Sequence, residues 1–215
     1  MGTEYKKLNS EAERLREKEG KHEEALTGFG KALEVAETVD QKAEAMAQIG
    51  LTHWHNKNYD GARKQFEELL EFGEKENSSG TQALAHRNLS RPEITEDGSQ
   101  QLEHAKKAYE FAKSSGREDL VWFAHGVVNS AFSNGFEDKA KEWLEVERRE
   151  VEKLEKNLDQ FKNKNDVPLI WKTGYLMDRG RINNSKEDLE EALQIAKDHN
   201  LVLRVGQIEK ILEDF

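Results

Sequence analysis

The 215-residue chain has no cysteine, only two prolines and no long run of apolar residues. Without cysteine it can form neither a disulfide nor a thiolate zinc site, and it has no cysteine nucleophile. No stretch approaches the roughly 18 apolar residues that a membrane-spanning helix needs, so we expect no membrane insertion. Its first residues do not resemble a secretory signal, and we predict a cytoplasmic protein.

Acidic side chains outnumber basic ones by 43 to 33, which gives a formal net charge of −10. A negatively charged surface opposes binding to a phosphate backbone, so we predict no nucleic-acid partner. The same charge favours a basic or neutral segment on a protein partner.

Charged and hydrophobic residues each make up 35% of the chain, a balance that could indicate disorder. The pattern of the sequence indicates a folded helical chain instead. Strong helix formers such as Glu, Lys, Leu and Ala predominate, and the scarcity of proline leaves room for long helices. Alternating β-branched runs are nearly absent. We therefore predict an all-α fold.

A six-residue element recurs along the chain, and successive copies begin 35 to 49 residues apart. The copies are ALEVAE (32–37), LLEFGE (69–74), AYEFAK (108–113), ALQIAK (192–197) and a weaker WLEVER (143–148). Turn signals such as Gly20, Asn58, Gly135, Gly180 and Asn184 lie between helix-length segments. Two helices of about 14 residues with their turns account for this period.

The repeat predicts a single domain, 1–215, built from antiparallel helix hairpins. One hairpin cannot bury its apolar face alone, but stacked neighbours can. The predicted hairpins cover about 5–38, 42–76, 81–115, 118–163 and 166–199, and a capping helix covers about 202–214.

Two segments interrupt the regular unit. In residues 90–100, Pro92 and Gly98 predict an early helix end and a long connection. This connection is either a tolerated surface insertion or a loop that leans over the concave face of the array.

The second irregular segment is residues 138–162, which contain neither proline nor glycine. Its later half places Val151, Leu154, Leu158 and Phe161 on one helix face. This stripe either packs on the fifth hairpin or forms the seam of a homodimer.

The second hairpin resembles a tetratricopeptide repeat (TPR). It has Gly50 in its first helix, Tyr59 and Asp60 in its turn, and Ala62 and Phe66 in its second helix. The first hairpin matches through its second helix, with Ala25, Phe29 and Ala32. The resemblance implies a right-handed superhelical array of about five antiparallel hairpins, a TPR-like α-solenoid. It also implies that a partner binds the concave face, which the first helices of the hairpins line.

Transfer of the family's groove positions onto this sequence gives a set of candidate partner-binding residues that combines apolar anchors with polar contacts. These residues are Arg14, Leu51, Trp54, His55, His86, Trp122, His125, Asn129 and Phe132.

No pattern in the sequence indicates catalysis or cofactor binding. There is no Walker loop, no dinucleotide-binding glycine fingerprint and no His-Glu-x-x-His. We predict a non-enzymatic protein- or peptide-binding scaffold without cofactor or metal. One alternative is a regulatory sensor that binds a short peptide or small ligand. The other is an enzyme with a site between hairpins, which would need a pocket with convergent histidine and acidic side chains.

Overall fold

The computed structural model describes residues 3–156, 167–213 and 215. Within these ranges every regular element is an α-helix, and there are eleven of them. The all-α prediction is therefore confirmed. The chain divides into two compact units, which we call unit 1 (Met1–Arg117) and unit 2 (Glu118–Phe215). None of the described helices has the length and hydropathy needed to cross a membrane.

Unit 1 consists of three helix hairpins. Consecutive helices pack against each other, and the first helices of neighbouring hairpins also lie in contact. The helices are α1 (Thr3–Glu19), α2 (His22–Glu34), α3 (Val39–His55), α4 (Tyr59–Lys75), α5 (Ser79–Leu89) and α6 (Gly98–Ser114).

Unit 2 consists of two hairpins and a final helix. Its helices are α7 (Leu120–Ser133), α8 (Glu137–Lys156), α9 (Val167–Asn183), α10 (Lys186–Asp198) and α11 (Val202–Leu212). Helices α7 and α9 pack side by side, and α11 packs on both α9 and α10. Helix α11 thus covers the last hairpin, as expected of a capping helix. The predicted fourth and fifth hairpins and the cap also include residues 157–166 and 214, which lie outside the described ranges.

Short polar side chains begin many of the helices. Each accepts a hydrogen bond from the backbone N–H three residues further on, which satisfies a donor that the first helical turn leaves open. These N-cap residues are Thr38, Asn58, Ser78, Asp97 and Ser185.

Residues with positive φ stand in the turns between helices, where a left-handed conformation ends the preceding helix. Gly20 and Gly135 have φ values of 64° and 74°, and Asn184 has 53°. The turn assigned to Gly180 was wrong, because Gly180 lies inside α9. A Cβ atom there would lie 2.7 Å from Cγ of Leu189, so this glycine permits close packing of α9 on α10.

The recurring six-residue element forms the buried face of the second helices. Its first residue is fully buried in four copies, as Ala32, Leu69, Ala108 and Ala192. Its fifth residue is small and buried in the same copies, as Ala36, Gly73, Ala112 and Ala196. In the fifth copy, on α8, this position is Glu147, which is also fully buried.

The connection between α5 and α6 packs onto unit 1. Ile94 is fully buried in a cluster that includes Phe66. The Arg91 guanidinium lies 4.4 Å from the ring centroid of Trp54, and the Trp54 indole Nε1 donates to Glu93 Oε2 at 3.3 Å. The connection thus packs against α3, a first helix, and its position over a concave face stays a prediction.

The apolar stripe of the 138–162 segment begins inside unit 2. Val151 and Leu154 are 5% and 7% exposed and belong to a core cluster with Leu176. They thus pack within the chain, while Leu158 and Phe161 lie outside the described residues. The homodimer stays a prediction.

Candidate functional site

The predicted binding residues of unit 1 do not converge on one open site. Arg14 is exposed on α1, where Nη2 pairs with Glu11 Oε1 at 2.6 Å. His55 lies at the end of α3, with Nε2 3.8 Å from Glu17 Oε1. Trp54 is covered by the connection described above, and Leu51 packs beneath it in the cluster of Ile94.

His86 belongs to the interior of the third hairpin. It is 6% exposed, and its Nδ1 lies 2.9 Å from Nδ1 of His104 on α6. Its ring also stacks on Phe111 at a centroid distance of 5.6 Å. Burial and the neighbouring His104 lower the pKa of His86 to about 4. A neutral, packed ring of this kind contributes to the core.

Unit 2 contains a pocket of about 650 Å³. Its walls come mainly from α7, α9 and α11, so it opens on the face formed by the first helices of the hairpins. The predicted residues His125, Asn129 and Phe132 line it, whereas Trp122 packs edge-on against Phe123 at 4.9 Å. The other lining residues are Met177, Asp178, Arg181, Asn184, Arg204, Gln207, Lys210, Ile211 and Phe215.

Three cationic side chains line this pocket. Arg181 donates to Asn129 Oδ1 at 3.3 Å, and its guanidinium lies 4.7 Å from the Phe132 ring centroid. Arg204 donates to the backbone oxygen of Ile170 and to Gln207 Oε1. Burial lowers the pKa of Arg204, against the raising effect of the negative charges of Asp178 and Glu147.

Two of these cations have no carboxylate within ion-pair distance in the described part of the chain. Among the described residues, neither Arg204 nor Lys210 forms an ion pair, and Arg181 has only a long one, 3.8 Å from Asp178 Oδ1. The wall of the pocket therefore carries three cationic side chains, and the carboxylates of Asp178 and the nearby Glu147 offset part of their charge.

A histidine and two carboxylates form a cluster beside this pocket, and each comes from a different helix. His125 Nδ1 (α7) lies 2.7 Å from Asp178 Oδ2 (α9) and 3.1 Å from Glu147 Oε1 (α8). The side chains are 22%, 4% and 0% exposed respectively. The Asn129 amide lies against the other ring nitrogen, with 2.9 Å between Nδ2 and Nε2.

In this cluster, two buried carboxylates lie next to a single imidazole ring. Burial lowers the pKa of His125, but the charge and hydrogen bond of Asp178, together with Glu147, raise it to about 10. Burial and the nearby Asp178 raise the pKa of Glu147 to about 7, against the lowering effect of His125. One imidazolium thus lies within hydrogen-bond distance of two buried carboxylates.

Sequence reasoning missed Glu147, Asp178 and the two arginines of the pocket. The signal for Glu147 was present, because it interrupts a repeat position that holds alanine or glycine in the other copies. Asp178, Arg181 and Arg204 belong to no motif, and their proximity follows only from the packing of α9 and α11.

Comparisons with known proteins agree with this architecture. Residues 43–80 match the tetratricopeptide repeat family. A crystal structure of nearly identical TPR-like repeats of a putative kinesin light chain from Podosopora anserina is 14% identical, with a TM-score of 0.64, and covers 91% of this chain and 95% of that one. The apo form of RapI is 13% identical, with a TM-score of 0.61, and covers 96% of this chain and 81% of that one. No curated protein matches the sequence.

Residues 43–80 thus match a repeat family, and the solved structures share the TPR-like helical-repeat fold of this chain. Within that fold, the pocket of unit 2 is the candidate functional site.

Proposed function

We propose that the protein is a non-enzymatic binding module and that the pocket of unit 2 receives a segment of a protein partner. The observation that carries the proposal is a pocket on the face of the first helices that combines aromatic and cationic side chains. Phe132 and Ile211 offer apolar contact, and Arg204 and Lys210 offer charge. Aromatic and arginine side chains of this kind dominate binding energy at protein interfaces.

The charge of the pocket favours an acidic segment. The net charge of the whole chain points to a basic or neutral partner, but a ligand in the pocket meets the local charge first. Arg204 is half-buried and forms no ion pair with a carboxylate among the described residues, and a carboxylate from the ligand would pair with it through two parallel hydrogen bonds. We therefore propose that the segment carries aspartate or glutamate next to an apolar side chain.

Fluorescence polarisation with a library of labelled peptides tests this proposal. We expect acidic peptides with an apolar neighbour to bind saturably, while basic peptides of the same length do not. Arg204→Gln should weaken binding at least about tenfold, or about 1.4 kcal/mol. Lys186→Gln removes a cation on α10 outside the pocket and should leave binding unchanged. The proposal fails if no peptide binds saturably or if both variants weaken binding equally.

A sensor of a small ligand is the second candidate function. The pocket volume of about 650 Å³ falls in the range of small-molecule sites. Truncation of a bound peptide separates the two candidates. If the site is a scaffold site, affinity should fall as the peptide residues that extend beyond the pocket are removed. If it is a small-ligand site, a peptide of one or two residues should retain the affinity.

Catalysis is not part of this proposal, although the pocket holds the convergent histidine and acids that an enzyme would need. The TPR-like fold is typically non-enzymatic. His125, with its pKa raised to about 10, is protonated near neutral pH and is unsuited to act as a general base. The described lining of the pocket includes no serine or threonine nucleophile. We also propose a cytoplasmic location, in keeping with a chain that has no cysteine.

A further inference from the structure

We propose that His125, Glu147 and Asp178 bind a divalent transition-metal ion, with Zn²⁺ the best fit to the ligand set. This inference is independent of the partner, because it concerns the affinity of the chain for the metal alone.

The geometry of the three side chains carries the proposal. One donor atom from each lies within 4.8 Å of the other two. Zinc binds imidazole nitrogen and carboxylate oxygen at about 2.0–2.2 Å, so neighbouring ligand atoms in a tetrahedral site lie roughly 3.3 Å apart. Nδ1 of His125 lies 2.7 Å and 3.1 Å from the two carboxylates, so these separations would widen by about 0.6 Å and about 0.2 Å to reach the tetrahedral spacing.

The second, independent observation is that one oxygen of a buried carboxylate in this cluster has no hydrogen-bond donor among the described residues. Oε2 of Glu147 is buried and has no hydrogen-bond donor among the described residues, and its side chain is fully buried. An unpaired buried carboxylate oxygen is costly, and a divalent cation would satisfy it and neutralise both acids. The other copies of the repeat place alanine or glycine here, so packing alone does not require this carboxylate.

The surroundings suit a metal that remains accessible. His125 and Asp178 both line the pocket of unit 2, which provides an entry path and leaves one coordination position open. Imidazole together with carboxylate favours Zn²⁺ over Ca²⁺ or Mg²⁺.

Calorimetric titration of the full, untagged chain with Zn²⁺ tests the proposal. A mildly alkaline buffer is chosen because the metal must displace the Nδ1 proton. We expect one ion per chain, a higher melting temperature with Zn²⁺, and a Co²⁺-substituted form with the visible absorption of a four-coordinate site. Glu147→Gln and Asp178→Asn should each weaken Zn²⁺ binding by at least about tenfold to a hundredfold.

Two matched controls separate this site from incidental binding. Glu150→Gln removes another buried carboxylate of α8, and His104→Gln removes one of the two paired imidazoles of unit 1. Both variants should bind Zn²⁺ like the wild type. Glu147→Gln and Asp178→Asn keep side-chain size, and circular dichroism checks that they fold. The proposal is overturned if the wild type shows no stoichiometric binding, or if the controls lose as much affinity as the ligand variants.

Discussion

The histidine pair inside unit 1 should make stability depend on pH in the mildly acidic range. Nδ1 of His86 and Nδ1 of His104 lie 2.9 Å apart, so one nitrogen must donate and the other must accept. Protonation of both rings would remove the acceptor and place two positive charges in contact. Burial and His104 lower the pKa of His86 from 6.5 to about 4, and burial also lowers that of His104.

The sign and size of the effect follow from proton linkage. Between pH 6.5 and about 4 the unfolded chain binds a proton at His86 that the folded chain does not, so stability falls as the pH falls through this range. At 1.36 kcal/mol per pKa unit, the full shift corresponds to about 3 kcal/mol. If local opening brings the charged His86 ring into contact with water, solvent screening would reduce this loss of stability to about half.

The assay is urea unfolding of the wild type and of His86→Gln at several pH values, followed by circular dichroism. Other groups also titrate, so the quantity of interest is the difference in unfolding free energy between the two proteins. We expect the wild type to lose about 1.5–3 kcal/mol relative to His86→Gln between pH 7 and pH 4. The exposed His199→Gln is the control. A difference between wild type and His86→Gln that stays constant with pH would refute the reasoning.

Further predictions concern packing. A Cβ on Gly50 would lie 2.4 Å from Cε1 of the fully buried Phe66, so Gly50→Ala should destabilise unit 1 by about 1–3 kcal/mol. Gly30 has no neighbour within 4 Å of an added Cβ, so Gly30→Ala should stabilise the protein by up to about 1 kcal/mol. Chemical unfolding of the two glycine variants measures both effects. Ile94→Ala should cost about 2–5 kcal/mol and speed proteolysis of the 90–97 connection, because Ile94 anchors it. Leu154→Glu should lower the melting temperature without changing the mass seen by light scattering, because Leu154 is buried within unit 2; a halved mass would favour the dimer.

The helical repeat was predictable because it depends on local properties. Helix-forming residues, few prolines and short polar caps such as Ser78 and Asp97 act within a few neighbours along the chain. The first and fifth positions of the repeated element, such as Ala108 and Ala112, lie four residues apart, and such spacing places them on one buried side of their helix. Gly180 shows the limit of this reasoning, because a glycine serves a turn and a close helix contact equally well, and only its neighbour Leu189 decides between them.

The tertiary structure alone decided which polar side chains meet. The wall of the pocket combines α7, α9 and α11, and the cluster joins His125 to Glu147 and Asp178 across three helices. A single acidic residue in a highly charged sequence is usually a solvated one, and its burial depends on what packs over it rather than on its neighbours in the chain. The same holds for Trp54, which the groove pattern presents as an anchor and the 90–97 connection covers.

Sequence by itself determined the helices and their buried faces, because these are properties of short segments. Packing between distant segments determined the pocket and its charge, because proximity across helices leaves no local pattern in the chain.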